Sequence, residues 1–153
     1  MLDVLTLLNK VERVSRLFEL DNFVAVPGIW AEVVDDGSIK NVVTDTPAKC
    51  NKLVFSGVSD NVYENNDTKA GRVTTIESHG IRCKVDSEGY DGTINVNDDL
   101  VVATGAGIEG KLVSVAETAE TGIYEVVARA EEVNDTEGWI IFRTLSPSYI
   151  TLT

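Results

Sequence analysis

Two cysteines, one histidine, one methionine and three prolines are all that 153 residues contain of those types. Cys50 and Cys83 lie 33 positions apart. They form no CxxC pair and no zinc-ligand spacing, so a structural zinc site is excluded. They read as buried or half-buried thiols of a chain made in a reducing cytoplasm, although spacing alone does not decide whether they pair. Bases are also scarce, with 13 Lys and Arg against 25 Asp and Glu and a net charge of −12. Such a surface repels phosphate backbones and anionic lipid, which excludes non-specific binding to nucleic acid or to an anionic membrane. No run of 18 apolar residues is present, so no segment is expected to span a membrane as a helix. Met1-Leu2-Asp3-Val4-Leu5 has no basic flank and no small-residue cleavage site after it, and no signal peptide is expected. The chain does have the composition of a folded domain, 43% apolar and 25% charged.

The acids are unevenly placed. Residues 1–85 carry 12 acids and 10 bases, whereas residues 86–153 carry 13 acids and only Lys111, Arg129 and Arg143. An asymmetry of this size either keeps one surface well solvated or separates a near-neutral docking half from an acidic, water-facing half.

Residues 3–20 look different from the rest. Val4, Leu7, Val11, Val14 and Phe18 recur at spacings of three and four, an a/d stripe over about two heptads. Asp3 is placed to cap a helix, and Glu12 and Arg16 to pair along its exposed face. The pattern predicts an N-terminal amphipathic helix, with residues 1–21 as an arm. So short a helix is marginal alone in water. It must pack on the domain, on copies of itself or on another protein.

From residue 22 the composition is that of strands. Val, Ile and Thr number 22, 10 and 14 in the whole chain, and most follow Asn22. Turn residues divide them into short runs: Pro27-Gly28, Asp35-Asp36-Gly37-Ser38, Ser78-His79-Gly80, Asn97-Asp98-Asp99 and Glu120-Thr121-Gly122. Strands are expected at 23–26, 29–34, 39–43, 53–58, 72–77, 81–85, 93–96, 100–104, 111–116, 123–130 and 139–145. The polar stretch 59–71 reads as the longest loop. Spacings of about 8–12 residues indicate a mainly β fold, a small β-barrel or β-sandwich of short antiparallel strands over residues 22–153.

Catalytic patterns are absent. His79 is the only histidine, and Ser78 beside it makes no triad by adjacency. Gly105-Ala106-Gly107-Ile108-Glu109-Gly110 has GxGxxG spacing but leads into strand-like Lys111-Leu112-Val113-Ser114-Val115. A dinucleotide loop must open a helix, so these glycines read as positive-φ residues of a hairpin. The acids of 86–91 and 95–99 lack EF-hand spacing and read as solvated turns. No enzyme activity, metal or cofactor is expected.

Four stretches carry a family likeness. Asn97-Asp98-Asp99-Leu100 begins a strand, and Gly110-Lys111-Leu112 turns into the next. Val126-Val127-Ala128-Arg129-Ala130 is an Ala-containing strand, and Gly138-Trp139-Ile140-Ile141-Phe142-Arg143-Thr144-Leu145 is the last. Residues 92–146 thereby resemble the decoration (cement) proteins of tailed-bacteriophage heads. Those proteins carry a Gly-Asp-x-Leu strand start, a Gly-Lys-Leu turn, an Ala-rich strand and a final Gly-x-Ile-x-Val-x-Leu strand. Asn97 stands where the family more often has Gly, and residues 1–85 have no named counterpart in it.

The resemblance implies a non-enzymatic virion protein on the capsid surface, assembled in the host cytoplasm. It implies binding to the major capsid protein and to copies of itself, as a trimer or dimer, bridging neighbouring subunits. Leu7, Val11, Val14, Phe18, Phe23 and Trp30 are the candidate partner-binding residues. The rival expectation is a carbohydrate- or receptor-binding module of a tail or fibre, with Tyr63, Tyr90 and the 59–71 loop at its rim.

Overall fold

A computed structural model describes residues 1–7, 10–19, 26–33, 37–42, 52–54, 69–117 and 122–153. The fold is mainly β. Eleven strands are described: β1 (Leu2–Val4), β2 (Arg13–Glu19), β3 (Trp30–Val33), β4 (Ile39–Lys40), β5 (Lys52–Val54) and β6 (Lys69–Ile76), then β7 (Arg82–Asp86), β8 (Asp99–Val102), β9 (Leu112–Ser114), β10 (Gly122–Asn134) and β11 (Trp139–Leu152). A 3-10 turn spans Val115–Glu117, and Lys10 also has 3-10 geometry, its N–H donating to the Leu7 carbonyl at 2.9 Å.

The strands form two units. A six-stranded antiparallel sheet runs β1-β7-β11-β10-β8-β9, and a five-stranded ring closes in the order β2-β4-β3-β5-β6. β10 and β11 form the long hairpin of the sheet, from Gly122↔Leu152 to Asn134↔Trp139. Register shifts between Val126 and Ala128 and between Ala130 and Glu132 interrupt it. Bulges of this kind let so long a ribbon bend over a core. Its turn is held by Asn134, whose carbonyl accepts from the Gly138 N–H at 2.8 Å and whose side chain accepts from the Glu137 N–H at 2.9 Å.

Among the described residues the expected N-terminal helix is absent. The segment contributes a strand to each unit instead: β1 pairs antiparallel with β7 (Leu2↔Val85, Val4↔Cys83), and β2 pairs antiparallel with β6 (Arg13↔Ile76 to Glu19↔Lys69). Spacings of three and four match the helix template and not the two-residue period of a strand, and what favours strand in this segment is its β-branched valine content. A short helix has little stability of its own, so pairing with β7 and β6 decides the outcome. Arg16 pairs with Glu77 rather than with Glu12, and its Nη1 donates to the Gly37 carbonyl at 2.7 Å. The expected boundary at 21/22 lies outside the described residues.

The remaining strand expectations hold in outline. The predicted strand at 93–96 is not formed, and the next strand begins at Asp99. Strands at 23–26 and 55–58, and the 59–68 part of the loop, lie chiefly or wholly outside the described residues, and residues 69–71, expected to end that loop, instead begin β6.

A continuous apolar core joins ring and sheet. Trp30, Leu53 and Ile76 of the ring pack with Val85, Leu100, Leu112, Ile140 and Phe142 of the sheet. Backbone bonds cross the same boundary, the Trp30 N–H donating to the Gly110 carbonyl at 2.9 Å. Cys83 lies within this core as a free thiol, 0% exposed. Burial pushes its pKa up to about 12.

Candidate docking surface

The two faces of the six-stranded sheet do different work. Along β8, Leu100 and Val102 enter the main core, and Val101 between them packs in a second cluster with Tyr124 and Val126. Strand side chains alternate between faces, so this second cluster lies on the side of the sheet away from the ring. Val113, Val115, Leu145, Ile150 and Leu152 pack against it, each only partly buried. The result is an apolar strip on the outward face, half covered by its own side chains.

A surface cavity of about 340 Å³ adjoins this strip. Val101, Ile108, Val113 and Tyr124 supply apolar wall, and Asp91 and Glu117 supply carboxylates. Among the described residues, neither lysine nor arginine lines it. The volume falls within the range of small-ligand and side-chain pockets.

The connection from β8 to β9 shapes one wall. The Gly110 N–H donates to the Ala103 carbonyl at 3.0 Å, and the Ala103 N–H to the Lys111 carbonyl at 2.8 Å. Gly107 and Gly110 take φ of +84° and +85°, whereas Gly105, expected to share that conformation, does not have positive φ. The GxGxxG stretch is therefore a hairpin connection with no helix behind it, as its strand-like continuation predicts. Gly110 is further constrained, because a Cβ there would lie 2.5 Å from Ile29 Cγ2 and 2.8 Å from the Trp30 carbonyl.

Beyond the apolar strip the same outward face is charged. Register places Arg82 opposite Arg143, Arg143 opposite Arg129 and Arg129 opposite Asp99, a row across four strands. Every guanidinium in the row has an acid. Glu131 accepts from Arg82 Nε and Arg143 Nε, both at 3.0 Å. Asp99 accepts from Arg129 Nη2 at 3.0 Å, and Glu132 accepts from Arg82. The hydrogen bond from Arg143, with the charges of Arg143 and Arg82, holds the Glu131 carboxyl below its ordinary pKa despite partial burial.

The expected partner-binding residues separate into several environments. Leu7 is exposed at 68%, with Met1 and Leu5 also exposed nearby in the chain. Val11 and Trp30 are buried in the main core, at 8% and 3% exposure. Val14 is half-buried on β2. Phe18 is in β2 opposite Ile39, its side chain outside the described ones, and Phe23 lies outside the described residues. Of the rival site, Tyr90 is half-buried against the main core, and Tyr63 lies outside the described residues. Sequence reasoning missed Val101, Val113 and Tyr124. Their signal was alternation, since Leu100-Val101-Val102 and Leu112-Val113-Ser114 place apolar residues on both faces of their strands.

The turn residues answer the chemical patterns. Ser78 Oγ accepts the backbone N–H of Glu12, and the Ser78 carbonyl accepts from Thr144 Oγ1 at 2.9 Å. His79 is exposed between them and the next strand. Asp86 Oδ1 accepts the Glu88 N–H at 3.1 Å, and Asp98 Oδ2 accepts the Asn95 N–H at 2.9 Å and Ser114 Oγ at 2.7 Å. These acids organise their own turns. Among the described residues no three His, Cys, Asp or Glu side chains gather as a metal site.

The chain matches no family model and no curated protein.

Proposed function

We propose that this chain is a decoration protein of a tailed-bacteriophage head, bound to the outer surface of the shell and bridging capsid subunits. The observation that carries the reading is the backbone at the three glycine positions of the resembling pattern. Gly110 and Gly138 have φ of +85° and +74°. Asn97, at the position where the family more often has Gly, has φ of +72° and is the one non-glycine residue with positive φ among the described residues. Asparagine is among the side chains that best tolerate this conformation, so the departure from the pattern preserves the turn. The resembling residues then build β8, β9, β10 and β11, adjacent in one sheet in the order β11-β10-β8-β9.

An acidic β domain with a partly apolar outward face suits a shell-bridging role. It adds contacts across joints already made, and binding the mature shell alone stabilises that shell by linkage. Many weak contacts over a symmetric surface give avidity without a deep site. A carbohydrate-binding module has less support, because Tyr90 packs against the core instead of forming an exposed platform.

The test is co-sedimentation with heads of the phage that encodes the chain. Saturable binding to expanded heads, at a stoichiometry matching a set of symmetry positions, is expected, with much weaker binding to unexpanded precursors. Equal absence of binding to both forms would remove the reading.

A further inference from the structure

We infer that the cavity between β8, β9 and the Gly105–Gly110 connection receives a basic side chain, arginine above all, from a partner polypeptide. This inference concerns the cavity alone and holds whether or not the chain sits on a phage head. Three observations converge on it. First, the site has the right shape in chemical terms. Val101, Ile108 and Val113 offer an apolar wall to the methylenes of a long side chain, and Asp91 and Glu117 offer carboxylates to its charged end. Arginine and lysine bury their stems along apolar surface and keep their heads in polar surroundings, which is the division this cavity presents. Secondly, among the described residues no base satisfies those acids from within the cavity lining. The charged row on the same face behaves differently, since Arg82, Arg129 and Arg143 are each already paired with an acid. Thirdly, the cavity is continuous through Val101, Val113 and Tyr124 with the half-covered apolar strip that runs to Leu145 and Ile150. A lone cation would use only the carboxylates, whereas a polypeptide would lay its neighbouring side chains on the strip.

Complementarity favours such a partner over a second copy of this chain. The half that builds the cavity, residues 86–153, carries 13 acids and three bases, and a copy that meets it through that same half would bring the same excess of acids, on a chain whose net charge is −12. The partner segment is accordingly basic, with one arginine as its anchor and apolar residues beside it.

The experiment is a methyl NMR titration of the full chain, following Val101, Ile108 and Val113. The probe is Nα-acetyl-arginine methylamide, with the isosteric neutral citrulline analogue as control and agmatine as a free small cation. Saturable shifts at those three residues in the millimolar range are expected for the arginine probe, with at least about fivefold weaker binding by the citrulline analogue. Asp91→Asn with Glu117→Gln should weaken the arginine probe by about tenfold and leave the citrulline analogue unchanged. Glu117 is exposed, so Glu117→Gln alone repeats the test, with a smaller loss, in a chain whose folding it does not touch. No saturable shift up to about 50 mM, a range beyond any useful anchor affinity, would overturn the inference. So would equal binding of the two analogues, or no loss in either variant. Agmatine binding more than about tenfold tighter than the capped arginine would assign the cavity to a free polyamine and overturn the polypeptide assignment.

Discussion

Asn97 and Gly110 show how a single backbone angle carries the fold. Both are held at positive φ, one by a side chain that tolerates it and one by a residue with no Cβ. Asn97→Gly should therefore leave stability within about 0.5 kcal/mol of the parent, whereas Asn97→Ala should lose about 1 kcal/mol. Gly110→Ala should lose more, about 2 kcal/mol or above, because strain adds to the clash with Ile29 and the Trp30 carbonyl. Urea unfolding of the three variants measures all of these, and an Asn97→Ala chain as stable as Asn97→Gly would count against the left-handed turn. The positive φ at Gly107 and Gly110 was legible in the sequence, as hairpin spacing. The role of Asn97 was not, since Asn-Asp is also ordinary loop composition.

Cys83 is legible only as a buried thiol, and its environment adds the chemistry. Its pKa of about 12 leaves almost no thiolate at pH 8. In a Cys50→Ser background, Cys83 should react with a thiol reagent at pH 8 only as fast as the protein opens, and at once in denaturant. Rapid labelling of the native chain would place the thiol at the surface.

At the scale of elements, the first 19 residues hold the main divergence between pattern and fold. The apolar spacing of Val4 to Phe18 fits a helix, yet β1 and β2 arise because β7 and β6 each have an edge to complete. That information lies more than 50 residues away in sequence, at Thr74–Ile76 and Cys83–Val85, and no local window contains it. An appended helical arm could be removed without harm to the β domain. Strands that edge the sheet and close the ring cannot. Deleting residues 1–21 should thus abolish cooperative unfolding and amide dispersion in a proton–nitrogen correlation spectrum. A folded, dispersed truncation would restore the arm.

The Arg82–Glu131–Arg143 cluster ties β7, β10 and β11 and gives stability a pH dependence. Glu131 has a folded-state pKa below its unfolded value. The folded state therefore binds fewer protons than the unfolded one in that window, and the contribution is full above the ordinary glutamate pKa of about 4.3 and declines as pH falls through the depressed folded value. Parent and Glu131→Gln chains should differ most near neutral pH and converge in acid, which melting temperatures across pH 2.5–7 (about the range in which carboxylates titrate) would record. A constant difference across that range would assign the loss to packing rather than charge. Adding salt should shrink the difference only in part, since the pair is half-buried.

The whole molecule revises the picture drawn from charge along the chain. The near-neutral and acidic halves do not form separate bodies. β1 and β7 from the first half sit in the same sheet as β8 to β11, and Arg82 pairs with acids of the second half. What charge arithmetic did capture is the excess of acids over residues 86–153, which reappears in the cavity between β8 and β9. The apolar residues expected at an interface are divided: Trp30 and Val11 serve the core, and Leu7 is exposed. A sequence lists apolar residues without saying which face of a sheet each will take, and that choice separates a core residue from a docking one.

The proposed place of this chain is the outer surface of a phage head, and electron cryomicroscopy of intact particles would show whether it is there. Density matching the six-stranded sheet and five-stranded ring is expected at symmetry positions outside the shell, spanning joints between capsid subunits. Density for this fold confined to the tail, the fibres or the capsid interior would contradict it.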